Sequence, residues 1–530
     1  MNDQTTYGLG PWSRRLAQDN RTGENAMMMK SLATLTALLS LSGLVRGQII
    51  SVKTIPLITT VQFSLAPSYN AGMGGVSIAI DDSLADGFLN PARLAALNRS
   101  MIYTAPYQDS WQDPLSTDAW NSPPATQQGR QVLGSQAQAI PVGIIRRLHM
   151  ASGRLEITTA LALAVEKLRH ASHSRMFQDP DTWEWNGPLR ISAVNLPLSA
   201  MVAVNFPQRG LSLGAGFDAV LIRAVDGVPM LYPGADQLRQ NGNMAHYRVG
   251  ASLTGSEGSR LDGLLLYRRY HMEQEAIYAW QDNLLNKDEE QSWLLQLKGR
   301  IPVEDQAQLG LELTGQYKWH PKLPDYPAQQ IAIPRDPGIT KAGRVGLGFS
   351  SRVKRLRVAL DVELELIDSR TWGDTTAAVI GVDGQTIPAG DPLFKNDYIL
   401  TNAALRLGLE FRIHARLRVQ GGWSVRQTSI DYFHEDFVTG EKISNTPQNW
   451  WKEPALTAGL VAQVGPTEWI FHTRVQYGTG RPVQEQIWWP WFGGREFGAK
   501  AASDLLVPPS GIALQNAPVV LHQLSMVYWF

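Results

Sequence analysis

Cysteine is absent from all 530 residues. That excludes disulfide staples and thiolate metal sites, and it suits a chain that crosses an oxidising compartment unfolded. No run of 18 or more apolar residues occurs, so no transmembrane helix is indicated. A surplus of either charge is missing as well. The 48 Lys and Arg balance 48 Asp and Glu, the pI is near 7.2, and nothing points to a nucleic-acid partner. A mean hydropathy of -0.18 is too polar for a bundle of membrane helices. A transmembrane β-barrel survives all of these exclusions, because only every second residue of each strand faces lipid.

The chain closes on an alternating apolar strand. Val520, Leu524, Met526, Tyr528 and Phe530 fall on one face, broken only by His522, while Gln523 and Ser525 share the other with Leu521, Val527 and Trp529. Chain ends of soluble proteins are commonly polar and frayed. An aromatic end on an alternating strand fits a barrel strand whose last ring sits at the bilayer interface. It also resembles the C-terminal signal read by the barrel-assembly machinery of bacterial outer membranes, with Tyr528 and Phe530 as its carriers.

From about residue 134 onward, alternating segments of roughly ten to fifteen residues form pairs. Short polar turns join them at Phe206–Arg209, Ser256–Ser259, Val303–Gln306, Ser351–Lys354, Ile413–Ala415 and Gly465–Thr467. Long connections fall near 225–243, 273–289, 320–340, 369–397, 430–452 and 480–516. Short and long alternate throughout, as in barrels with tight periplasmic turns and long external loops. Leu356, Val358, Leu360, Val362, Leu364 and Leu366 oppose Arg355, Arg357, Asp361, Glu363 and Glu365. Leu405, Leu407, Leu409 and Phe411 oppose Arg406, Glu410 and Arg412, and Leu417, Val419, Trp423 and Val425 oppose Arg416, Arg418, Gln420 and Arg426. A single such strand fits a half-solvated soluble sheet equally well. The repetition places these strands between lipid and a polar interior. The inward charges then either pair across strands or line water. The fold class is all-β, a transmembrane antiparallel barrel of about fourteen and up to sixteen strands, with an N-terminal plug.

Met27-Met28-Met29-Lys30 followed by the apolar stretch Leu32–Val45 has the pattern of a signal peptide. The resulting division is a leader or upstream start at 1–26, a signal peptide at 27–47, a hatch or plug at 48–98 and the barrel at 99–530. Within the plug, Gly72, Gly74 and Gly75 permit close packing or positive φ. Asp81 and Asp82 can cap or turn the chain, and Asn90-Pro91-Ala92 reads as a helix start. A phosphate-cradling loop would need the Lys and Ser/Thr that this segment lacks.

The segment Gly72-Met73-Gly74-Gly75, Asp81-Asp82-Ser83, Asn90-Pro91-Ala92-Arg93-Leu94-Ala95 resembles the N-terminal region of the FadL-type family of outer-membrane transporters. The match covers about 25 residues. The resemblance implies a hatch inside a fourteen-strand barrel in the outer membrane of a Gram-negative-type bacterium. It further implies passive transport of a hydrophobic small molecule such as a long-chain fatty acid, with sideways exit near a kinked strand. It extends to PorV-type barrels, which bind cargo and secretion-system proteins at the cell surface. The Asp81-Asp82 centre favours transport.

Other patterns carry less. Gly210-Leu211-Ser212-Leu213-Gly214 matches a nucleophile elbow but lies in an alternating strand, whereas the elbow needs a strand, sharp turn and helix. A barrel hydrolase remains the second alternative. His170 and His173 read as loop residues without a third ligand, so neither metal nor cofactor is expected. Trp488, Trp489, Trp491 and Phe492 fall in the last long loop, with Trp450-Trp451 in the preceding one. They suit either a lip that collects hydrophobic ligand or an aromatic belt.

Overall fold

The computed structural model describes residues 65–112, 134–149, 155–172, 189–225, 237–255, 258–278, 282–304, 306–320, 338–375, 377–382, 384–440, 442–445, 450–476, 479–481 and 519–530. All belong to one compact unit, Arg46–Phe530. Sixteen antiparallel strands form its wall. They are β1 (Met101–Thr104, continuing as Tyr107–Gln112), β2 (Gly134–Ala139 and Val142–His149), β3 (Glu156–Leu163 and Glu166–Ser172), β4 (Leu189–Phe206), β5 (Leu211–Val225) and β6 (Gln237–Thr254). Next come β7 (Arg260–Ile277), β8 (Leu284–Glu304), β9 (Ala307–His320), β10 (Gly338–Val353) and β11 (Leu356–Asp374). The last are β12 (Pro392–His414), β13 (Leu417–Asp436), β14 (Trp450–Val464), β15 (Thr467–Gln476) and β16 (Val519–Trp529). Each pairs with its chain neighbours, and β16 pairs with β1 from Met101↔Trp529 to Thr104↔Met526, which closes the ring.

Sixteen is the upper end of the expected range. Tight turns gather at one end of the barrel, three of them on glycines in the left-handed region, Gly210 (φ 59°), Gly258 (φ 82°) and Gly465 (φ 62°). The strands run past the ten to fifteen residues expected, up to 23 in Pro392–His414. Nine to eleven residues suffice to cross a bilayer. The excess lies at the long-loop end, where strands continue as charged pairs such as Arg370–Asp397 (3.4 Å) and Lys442–Glu435 (2.6 Å). Parts of the connections expected at 273–289, 369–397 and 430–452 are therefore strand. His170, expected in a loop, lies in β3, because the ladder Glu166–Ser172 to Leu189–Asn195 carries it.

The outer face is apolar. Leu347, Val362, Leu364, Leu366, Leu295 and Leu297 all point outward and exposed. On β5 to β8, Phe217, Tyr247, Tyr267 and Trp293 stand directly opposite one another with ring centroids 5.1, 6.1 and 4.6 Å apart. Cross-strand aromatic pairs stabilise a sheet, and aromatic rows girdle membrane barrels at their interfaces. Tyr528 and Phe530 stack outward at the tight-turn end, 6.5 Å apart. Such a surface is an interface with lipid, so the class is a transmembrane β-barrel.

Candidate functional site

The barrel lumen is occupied by the segment 65–98. It enters with a helical turn, Ala71–Met73, ended by Gly74 at φ 74°. Helix α1 (Ala85–Leu89) follows, and then a 3-10 helix, Pro91–Ala96. Local chemistry sets these breaks. Asp82 Oδ1 accepts from the Ala85 N–H (3.1 Å), and Asp86 Oδ2 accepts in return from the Asp82 N–H (3.2 Å), a reciprocal cap. Asn90 Oδ1 accepts from the Ala92 N–H (3.1 Å) with Pro91 at the first helical position.

Glycines of the wall make room for this segment. A Cβ on Gly422 would strike the backbone at Met73 and Gly74, one on Gly408 would meet Met73 O, and one on Gly250 would meet the Asn90 amide. Gly72 lies against Gly459 just as closely. Close backbone approach leaves the segment's polar groups to be satisfied by the wall. Thr457 Oγ1 donates to Gly72 O (2.9 Å) and accepts from the Gly74 N–H (2.8 Å). Asp361 Oδ2 accepts from the N–H groups of Ser77 and Ile78 (2.6 and 3.0 Å). Asn90 Nδ2 donates to Gly263 O (3.0 Å). These wall glycines were not singled out from sequence, and Asp361 was read only as one of the inward charges opposing Leu356–Leu366.

The two sides of the lumen differ. Toward β14–β16 and β1–β4 the segment packs in an apolar cluster containing Leu84, Phe88, Leu94 and Leu97 against Met101, Tyr103, Ala105, Ile145, Ala160, Ala162 and Ala164. Phe88 meets Tyr103 edge-on at 5.9 Å. Toward β7–β15 lies a cavity of about 480 Å³, lined by Leu89, Arg93, Leu266, Glu312, Arg344, Glu363, Arg406, Arg426, Glu453 and Arg474 among others. Inward charges there pair across strands, as Arg406–Glu363 and Arg344–Glu312 (2.8 Å). Arg418 joins Glu468 at 2.9 Å and Glu410 at 3.6 Å. Helix α1 divides the two sides: Leu89 lines the cavity and Phe88 belongs to the apolar cluster.

Charge holds this helix in place. Asp86 pairs with Lys298 (3.8 Å) and Arg93 (3.6 Å), and Asp81 meets Arg93, Arg260 and Arg300. Burial first, then the neighbouring Asp86, pushes the Asp82 carboxyl up to about 6, against hydrogen bonds from Ser68, Ala85 and Asn70. Burial raises Asp86 too. The Tyr69 hydroxyl donates to Glu468, and burial followed by that carboxylate raises its pKa.

The wall beside the apolar cluster is weakened at one height. Ala105 donates to Pro141 O (2.9 Å), Ala164 to Pro197 O (2.9 Å) and Leu524 to Pro106 O (3.1 Å). None of the three prolines can return the bond. One ladder bond is therefore missing between β16 and β1, between β1 and β2, and between β3 and β4. The β2–β3 seam keeps its bond, Ile140 N–H to Val165 O at 3.3 Å. This proline row was also not read from sequence, because its members come together only through register.

Ser212 lies in β5 with its hydroxyl donating to Asn205 Oδ1 (3.0 Å), and Gly214 packs on Pro91 and Ala92, so no nucleophile elbow forms. His246 Nε2 faces Met244 Sδ at 2.9 Å. Trp488, Trp489, Trp491 and Phe492, His173 and the signal-peptide region 27–47 lie outside the described residues.

No family model and no curated protein matches the chain. Solved structures do. The toluene transporter TodX of Pseudomonas putida is 10% identical with a TM-score of 0.38, over 87% of this chain and 96% of that one. The toluene transporter TbuX of Ralstonia pickettii is 12% identical with a TM-score of 0.39, over 87% and 97%. A FadL homologue of Pseudomonas aeruginosa is 11% identical with a TM-score of 0.38, over 86% and 96%. The family that the 71–95 segment resembles is thus present among the structural matches.

Proposed function

We propose that this chain is an outer-membrane transporter that lets hydrophobic small molecules, long-chain fatty acids among them, cross passively. The carrying observation is the row of missing ladder bonds at Pro106, Pro141 and Pro197 directly beside the apolar face of the lumenal segment. The segment acts as a hatch. Solute gathered at the long-loop end reaches the cavity, α1 shifts, and apolar surface at Phe88, Ala162 and Ala164 receives it. Exit is sideways into lipid, where the three prolines leave ladder bonds unmade. The driving force is burial of apolar surface, about 25 cal/mol per Å², with no energy input. Insertion by the barrel-assembly machinery uses the exposed Tyr528–Phe530 end.

Mass spectrometry of small molecules extracted from the barrel purified in mild detergent tests this reading. Hydrophobic compounds should be enriched over an unrelated barrel treated alike, and proteoliposomes should take up a labelled fatty acid. Neither enrichment nor uptake by a folded barrel would refute it. Secreted proteins co-purifying instead would favour the PorV-like alternative.

A further inference from the structure

At the tight-turn end of the lumen, three guanidiniums from three elements converge on one atom. Arg93 of the hatch, Arg260 at the start of β7 and Arg300 near the end of β8 all reach Asp81 Oδ1. Arg93 and Arg300 are buried and the Arg260 side chain is 12% exposed, whereas Asp81 is 42% exposed. Behind them stand Asp262, 3.4 Å from Arg260 and 3.7 Å from Arg93, and Asp86, with Lys298 at 3.8 Å. Four cations, Arg93, Arg260, Arg300 and Lys298, thus face three carboxylates, Asp81, Asp86 and Asp262.

One carboxylate oxygen cannot use the donors these groups present, since each guanidinium carries five N–H groups in a planar fork. Arg300 is 6% exposed, and its Nε has no hydrogen-bond partner among the described residues. A buried guanidinium with idle donors calls for an acceptor with several oxygens. The geometry points to an oxyanion site formed by Arg93, Arg260 and Arg300, which the Asp81 carboxylate occupies as an internal stand-in and which a small soluble oxyanion, phosphate or carboxylate, takes by displacing it. Asp81 belongs to the hatch, and Arg260 and Arg300 to the wall. Displacement therefore removes the Asp81 ties to Arg260 and Arg300 and leaves Asp86–Lys298, Arg93–Asp262 and Asn90–Gly263 in place, so the anion loosens the hatch against β7 and β8 and couples the composition of the adjoining aqueous compartment to hatch mobility. The site stands independently of whether the barrel carries a hydrophobic solute.

The test is calorimetric titration of the full-length barrel in detergent with inorganic phosphate at fixed ionic strength, with acetate and chloride in parallel. Asp81→Asn removes the internal competitor without removing a donor, and should bind phosphate at least tenfold tighter than the unmodified protein. Adding Arg300→Gln should reverse that gain. Acetate binding alongside phosphate identifies any oxyanion as ligand, and phosphate binding alone identifies a phosphate site. In the unmodified protein, saturating phosphate should raise amide exchange at Ser77–Ala85. The proposal fails if Asp81→Asn binds no tighter, if Arg300→Gln leaves the affinity unchanged, or if exchange stays constant with phosphate bound. Heat-dependent migration on gels establishes that each variant is a folded barrel.

Discussion

The two sides of the lumen solve the same packing problem in opposite ways. Along β9–β13, wall charges pair with one another across strands, and the strands keep an unbroken ladder from Ala307 to Ser429 apart from terminal bulges. Along β16 and β1–β4, small apolar residues pack on the hatch, and three prolines delete ladder donors at one height. Each missing bond forgoes about 0.5–1.5 kcal/mol, and alanines offer little interlock to replace it. The lesson is a division of labour. The charged side ties the lumenal segment to the wall, and on the proposed reading the apolar side is the part of the wall that yields.

The sharpest way to break this difference is to put a charge on the apolar side. Ala162→Glu would place an unpaired carboxylate in the apolar cluster. The expected cost is roughly 3 kcal/mol or more, read as a lower thermal unfolding temperature together with lost hydrophobic uptake. The same substitution on the charged side would find arginines within reach.

Acid should tighten the hatch. The Asp82 carboxyl sits at about 6 in the folded barrel, against an ordinary value of 3.8. The folded state therefore holds the extra proton between those values, and stability rises as pH falls through about 6, the gain being complete below about 4. The ceiling is roughly 3 kcal/mol at 1.36 kcal/mol per unit. Amide exchange in Asp82–Asn90 should slow between pH 7 and pH 5, and Asp82→Asn should flatten the profile.

A wedge on the glycine side should open the lumen without touching the exit. Gly422→Val drives a side chain into the backbone at Gly74. Overpacking of this kind costs about 1–3 kcal/mol, enough for on the order of tenfold more ion conductance in planar bilayers. The smallest effect per site is expected from restoring the ladder. Pro106→Val with Pro141→Ala and Pro197→Ala should stabilise the barrel by about 1 kcal/mol per regained bond and slow hydrophobic uptake. Faster uptake would mean that the row does not limit exit.

Strand alternation made the wall legible in sequence. Leu356–Leu366 against Arg357–Glu365 gave both faces of β11, and the final strand gave Tyr528 and Phe530 outward with Gln523 and Ser525 inward. The 71–95 segment was legible as a glycine-rich unit with caps at Asp82 and Asn90. What it touches was not. Gly422, Gly408 and Asp361 come from strands more than 280 residues away, and no local pattern distinguishes an inward glycine that receives the hatch from any other strand glycine. The prolines were equally silent, because each is an ordinary strand interruption until register aligns Ala105 with Pro141 and Ala164 with Pro197. His170 was misread because a short strand broken at Ala164–Val165 looks like a loop entry.

The absence of native cysteine makes the central claim directly measurable. Ile102 and Ile144 face outward and stand opposite each other across the β1–β2 seam, just below the proline row. Val345 and Leu364 do the same across β10–β11 on the charged side. Ile102→Cys with Ile144→Cys, and Val345→Cys with Leu364→Cys, would each be oxidised in proteoliposomes and assayed for uptake of a labelled fatty acid before and after reduction. A disulfide across β1–β2 should suppress uptake and release it on reduction, while one across β10–β11 should leave uptake unchanged. Equal uptake in the oxidised and reduced β1–β2 protein would contradict sideways exit through the weakened wall.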